Sequence, residues 1–214
     1  MNKLIKLDCN RTTTSSIIFN RRKLVYDAVT RAYASTDSGI HDDITKRCEF
    51  RKKIILDDGS LTTDEKARVI KMLVKDYDRN KIRYNTGAKR LCENCSVECL
   101  ATLYCEHCIR ASLKNNFLNW TSGNDDIDDL IKKCQMVSFS PNKVIEWIPY
   151  SDLQDIEYTT KGGCSEIYSA NWIRGPYHEW DSKEKQLMRL RSRKVILKTL
   201  ENVENANRDW LGEV

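Results

Sequence analysis

The sequence is poorest in the features that would tie it to a membrane or to an oxidising compartment. No stretch approaches the ~20 consecutive apolar residues a membrane-spanning helix needs. The N-terminus, Met1 to Cys9, has too short an apolar core and too many charges for a secretory leader. No internal repeat is visible. Only three histidines occur, His41, His107 and His178, and they lie far apart. Aromatic residues are not interleaved with the basic ones, as a nucleic-acid surface would require. These absences lead us to expect an intracellular protein, cytoplasmic or nuclear, with no membrane partner, and they make nucleic-acid binding the weaker of the alternative readings.

What is present is a polar chain of 214 residues, 40% hydrophobic and 31% charged, enough for one large domain or two small ones. The net charge of +5 conceals an asymmetry. Residues 1–91 hold 21 Lys and Arg against 12 Asp and Glu, whereas residues 92–214 hold 15 against 19. A basic front half can attract nucleic acid or an acidic partner, but Lys- and Arg-rich helix faces exposed to water are the preferred account of it.

Hydrophobic spacing divides the chain into a helical front and a sheet-forming rear. Residues 1–20, with hydroxyl side chains in a row from Thr12 to Ser16, read as an arm. Leu24, Val25, Ala28, Val29, Ala32 and Tyr33 recur at helical spacing over Arg21–Ala34. A second helix is expected over Asp42–Leu56. Thr62 to Glu65 matches a capping box, and the helix it opens is expected to end near Asp78 to Asn80. After the cysteines, helices are expected over Ile109–Trp120 and Asp125–Gln135, the second fronted by carboxylates that suit a helix N-terminus. From Val144 onward, β-branched and aromatic residues in short runs (Ile145, Trp147, Ile156, Tyr158, Ile167, Tyr168, Trp172, Val195 to Leu197) predict strands. These are separated by Gly162-Gly163, by Arg174-Gly-Pro176 and by a long charged insertion, Tyr177 to Lys194. The fold class expected is α+β, with an arm and first helix over 1–40, a basic helical segment over 41–91, a cysteine knuckle with flanking helices over 92–138 and an antiparallel sheet over 139–214.

Nine cysteines without a leader argue against a disulfide framework, and five of them fall between Cys92 and Cys108. Cys92-Glu-Asn-Cys95 and Cys105-Glu-His-Cys108 are two C-x-x-C turns. Each turn aims two thiolates at one ion, and two turns complete a tetrahedral four-sulfur shell suited to structural zinc. Cys92, Cys95, Cys105 and Cys108 are therefore the expected metal ligands. Cys99 and His107 are spare candidates. A four-thiolate shell has no open position, so its expected role is to fold a segment with little core of its own.

A glycine turn, Lys161-Gly-Gly-Cys-Ser-Glu-Ile-Tyr-Ser-Ala170, precedes a strand Val195-Ile-Leu-Lys198. Backbone amides of such a turn can approach phosphate oxygens. In this order the two segments resemble the G-x-G-x-x-G-x-V loop and the V-A-I-K strand of protein kinases. The chain from about Leu61 resembles a family of fungal kinase-like proteins in which a C-x-x-C…C-x-x-C knuckle precedes a Trp-Thr-Ser-Gly-Asn stretch (Trp120 to Asn124), a Glu-Trp-Ile-Pro-Tyr stretch (Glu146 to Tyr150) and the glycine loop.

The resemblance implies an incomplete kinase N-lobe of at most five strands over 139–214. It also implies ATP with Mg as the family's cofactor and protein phosphorylation as the family's activity. Thr160, Gly162 and Ser165 take the places of the three loop glycines, with Lys161 and Gly163 beside them. Ile167 takes the place of the valine, and Lys198 that of the lysine on the α- and β-phosphates. Glu213 takes the place of the glutamate that pairs with this lysine. Two of the three loop glycines are replaced, and Ile196 stands where alanine usually lines the adenine pocket. No H-R-D…N or D-F-G segment follows Lys198. No catalytic residue is therefore assigned, and weak or absent nucleotide binding without phosphoryl transfer is expected. The rival expectation is a protein-interaction module, docking a partner through the cysteine segment or the open sheet face.

Overall fold

The computed structural model describes residues 10–37, 39, 43–161 and 166–199, the first ten of these by their backbone alone. The described residues form an α+β protein with helices and small antiparallel sheets. The chain divides into two compact units, 1–88 and 89–214.

The first unit contains three helices, α1 (Asn10–Ala34), α2 (Ile44–Asp57) and α3 (Thr63–Tyr84). Their apolar stripes meet in a core of Ala28, Ala32, Ile55, Leu61, Val69 and Leu73. The expected capping box is formed: the Thr62 hydroxyl accepts from the Glu65 N–H while Glu65 Oε2 accepts from the Thr62 N–H at 2.8 Å. Arg21 of α1 pairs with the same Glu65 carboxylate, tying the start of α3 to the first helix. This pairing and the Thr62 amide hold Glu65 well below the usual carboxylate range, at about 2.

Two elements differ from expectation. The arm is helical from Asn10, because the periodic face that announces a helix begins only near Leu24, well inside the element. α3 runs on to Tyr84 and stops where Asn85 takes the left-handed conformation, φ 47° and ψ 48°, a conformation that asparagine tolerates at a helix end.

In the second unit, β1 (Arg90–Leu91) pairs antiparallel with β2 (Glu98–Cys99) around the first C-x-x-C turn. Helix α4 (Glu106–Asn115) follows the second turn, and α5 (Asp125–Met136) follows an Asn124 cap whose side chain accepts from Asp126 and Ile127. α4 thus starts three residues earlier than expected and ends sooner, with a single 3-10 turn over Phe117–Asn119.

Strands β3 (Leu153–Lys161), β4 (Glu166–Trp172) and β7 (Arg193–Lys198) form a three-stranded antiparallel sheet in the order β3-β4-β7. The charged insertion expected between strands is itself a hairpin of β5 (Tyr177–Asp181) and β6 (Gln186–Arg189). Residues 144–149, expected to join the sheet, lie outside any strand or ladder. Their polar anchors are local instead: Gln135 Nε2 donates to the Ile145 carbonyl at 2.8 Å, and Glu146 accepts from the Tyr177 N–H and pairs with Arg189. Arg189 also stacks 3.8 Å from the Tyr177 ring centroid and donates to the Gly175 carbonyl at 2.7 Å. Burial raises the Glu146 carboxyl above its usual range, a shift the guanidinium only partly offsets. Gly175 is required in the turn before β5. Its φ is +60°, and a Cβ there would lie 2.5 Å from the Arg191 carbonyl oxygen.

Candidate metal centre

Both C-x-x-C turns fold as the spacing predicts. In the first, the Ser96 N–H donates to the Cys92 carbonyl at 2.8 Å and Cys92 N–H donates to the Val97 carbonyl at 3.0 Å. Ser96 takes a left-handed φ of 56°, which reverses the chain into β2. In the second, Cys105 caps α4, so Cys108 lies in the helix's first turn. The positive end of the helix dipole therefore faces the sulfurs and favours their thiolate form.

The four sulfurs of Cys92, Cys95, Cys105 and Cys108 all lie within 4.8 Å of one another. Cys92 and Cys108 are 3.7 Å apart, as are Cys95 and Cys105. A disulfide requires about 2.05 Å, so the arrangement is that of four donors around a common centre, close enough to hold a metal ion. Asn94 braces two of the ligands: its backbone N–H donates to Cys92 Sγ at 3.4 Å, and its side-chain amide to Cys108 Sγ at 3.3 Å. Cys92, Cys105 and Cys108 are buried, and Cys95 is half-buried.

Four clustered thiols resist ionising together. Burial pushes the Cys105 thiol up and raises Cys108 to about 11. Cys92 also suffers the burial penalty, but N–H donors from Cys95 and Asn94 bring it down to about 6. A divalent cation at the centre would remove the penalty on the others by supplying the missing positive charge.

The spare candidates take other places. His107 Nε2 lies 3.1 Å from the Glu98 carbonyl oxygen, an exposed contact outside the sulfur cluster. Cys99 is not in a loop but in β2, 1% exposed, where it groups with Cys105 and Glu106. Sequence reasoning missed Glu106. Its carboxylate is buried and accepts from the Leu100 N–H at 2.7 Å and the Ala101 N–H at 3.4 Å, which holds the chain between the two turns. The signal available was an acidic residue in the first turn of a helix. Trp180 of β5 was also missed. It packs against the cysteine cluster, so the hairpin folds back over the centre. Nothing in a charged insertion pointed to that contact.

Of the candidate nucleotide residues, Gly162, Gly163, Ser165 and Glu213 lie outside the described residues. Thr160, Lys161, Ile167 and Lys198 are described. Thr160 pairs with Ile167 across β3 and β4, Ile167 pairs with Lys198 across β4 and β7, and Lys161 pairs with Glu166. Thr160, Ile167 and Lys198 therefore form one cross-strand row. Ile196, two residues from Lys198 and on the same sheet face, is 66% exposed.

No helix among the described residues is long and apolar enough to cross a membrane. Compared with known proteins, the chain matches no family model, no curated protein and no solved structure.

Proposed function

We propose that the chain is a binding module stapled by one structural zinc ion, held by Cys92, Cys95, Cys105 and Cys108. The observation that carries this reading is the pair of 3.7 Å sulfur–sulfur distances. Four bonds of about 2.3 Å from a tetrahedral zinc place neighbouring sulfurs about 3.8 Å apart. Thiolates select soft or borderline ions over magnesium or calcium, and zinc accepts this shell without redox chemistry. With every coordination position filled by sulfur, the ion's work is to fold residues 89–116, where the four cysteines form a largely buried cluster. The role that follows is recognition of a protein partner by the surfaces the ion holds in place. Elemental analysis of the purified chain tests the metal assignment: about one zinc per chain is expected, and a metal-free chain that keeps its fold contradicts it.

A second reading is favoured by the strand register. The row Thr160–Ile167–Lys198, with Ile196 on the same face, supports a nucleotide clamp of the protein-kinase type, as the resemblance implies. In this reading the lysine meets the α- and β-phosphates of ATP with Mg, and the chain binds nucleotide without transferring phosphate. Calorimetry with Mg-ATP and a Lys198→Ala control separates the readings. Binding lost in the variant supports the clamp; no binding by either protein leaves the zinc-stapled module alone.

A further inference from the structure

We infer that Cys95 is an oxidation site through which a peroxide opens the metal centre, and that the β5–β6 hairpin is the element this releases. The inference rests on the structural-zinc reading.

Exposure distinguishes the four ligand residues. Cys92, Cys105 and Cys108 are 6%, 2% and 6% exposed, while Cys95 is half-buried. Cys95 also opens onto a groove of about 590 Å³, lined among others by Asn94, His107, Cys108, Trp180 and Lys185. The groove reaches both Cys95 and Cys108, but Cys108 is buried and holds the Asn94 amide, so Cys95 is the ligand more open to a molecule the size of hydrogen peroxide. The two buried sulfurs that Asn94 contacts, Cys92 and Cys108, carry N–H donors that draw electron density from them. Cys95 has its partner at hand: Cys105 Sγ is 3.7 Å away.

The chemistry balances with a peroxide as the two-electron oxidant. The Cys95 thiolate attacks one peroxide oxygen, an S–O bond forms, the O–O bond breaks, and the departing hydroxide takes a proton from solvent. The Cys105 thiolate then attacks the Cys95 sulfur. An S–S bond forms, the S–O bond breaks, and a second hydroxide leaves as water after protonation. The two sulfurs lose two electrons and peroxide gains them. The cluster then offers two thiolates instead of four, too few to retain zinc.

The consequence reaches the hairpin. Trp180 packs on the cysteine cluster and lines the same groove. The base of the hairpin is fixed separately, by Arg189 on Glu146 and on the Gly175 carbonyl. Opening the centre removes the surface beneath Trp180 while leaving the base anchored, so the far end of the hairpin is freed as an arm.

The test uses the full chain, with zinc content measured first, then substoichiometric hydrogen peroxide. Zinc release is followed with a chromophoric chelator, disulfides by peptide mass spectrometry, and tryptophan fluorescence against a Trp180→Phe variant. The expected result is about one zinc released per Cys95–Cys105 disulfide, reversed by a thiol reductant with added zinc. A fluorescence change that the variant lacks should accompany it. A disulfide confined to another pair, zinc retained after Cys95 is oxidised, or release without a Trp180 signal overturns the inference. A chain that holds no zinc before peroxide is added instead sinks the zinc reading, so the two failures are distinguishable.

Discussion

The helical unit and the cysteine unit solve the same problem with different materials. Residues 1–88 bury an apolar cluster built from Ala28, Ala32, Ile55, Leu61, Val69 and Leu73, each supplied by a helix stripe or an adjoining turn. In residues 89–116 four cysteines form a cluster with Trp180 packed over it, beside buried apolar side chains such as Leu100, Tyr104, Ile109 and Leu113. The first arrangement is stable through area removed from water. The second gathers thiols whose ionisation burial opposes, and a cation held among them would make the gathering favourable. The first unit should therefore tolerate chelators, and the second should suffer from them. All five tryptophans lie beyond residue 88, so fluorescence reports the second unit, whereas the long helices α1 to α3 dominate the helical circular dichroism.

The largest effect expected is that of Cys105→Ser. Structural zinc in small domains supplies an apparent ~10–16 kcal/mol of binding energy that is also folding energy. Removing a buried ligand should abolish stoichiometric zinc and the native tryptophan spectrum, while the helical signal of the first unit persists. Loss of both signals together would break the comparison.

Next comes Ile55→Ala, which deletes a fully buried side chain of the apolar core. A cost of about 2–5 kcal/mol is expected, read as a lowered helical melting midpoint with zinc content unchanged. Arg189→Met leaves the Glu146 carboxylate buried without its cation. Because Arg189 is partly exposed, the cost should reach about 3 kcal/mol at most, and it should appear in tryptophan fluorescence but not in the helical signal.

The pH dependence sharpens the contrast. Hydrogen bonds from Ser60 and Arg31 hold Asp58 at about 2, and Arg21 with Thr62 holds Glu65 at about 2. Both folded values lie below the ordinary 3.8 and 4.5. Their stabilisation is therefore present above those ordinary values and is lost as pH falls toward about 2. Helical melting in acid should follow that window, and Arg21→Ala should flatten it. The smallest effect expected is that of Thr62→Ala, which removes one side of the capping box at about 1 kcal/mol. It should lower the helical midpoint slightly and leave zinc binding intact.

What could be read from the sequence follows the same division. The capping box at Thr62 and the two C-x-x-C turns are short patterns whose physics is complete within a few residues, and both appear in the structure at those positions. The α+β class was legible because the helical and β-type runs are segregated along the chain. The β5–β6 hairpin was not, since Tyr177–Arg189 carries its charges on a ribbon exposed on much of its surface, and hydrophobic alternation is weak there. The contacts of Trp180 with the cysteine cluster and of Arg189 with Glu146 span 43 residues or more, 43 being the separation of Glu146 and Arg189. No local pattern encodes them. Residues 144–149 carry strand-forming side chains yet make their polar contacts to Gln135, Tyr177 and Arg189, so tertiary anchoring prevailed over propensity there.

The central claim is that a metal ion holds the cysteine turns together, beyond what the buried apolar side chains around them supply. Hydrogen exchange by mass spectrometry, on the zinc-loaded full chain with and without a strong chelator, tests it most directly. The account predicts that chelation strips protection from residues 89–116 and from the hairpin 177–189 while α2 and α3 keep theirs. Unchanged protection around the cysteines, or equal loss in both units, would contradict it.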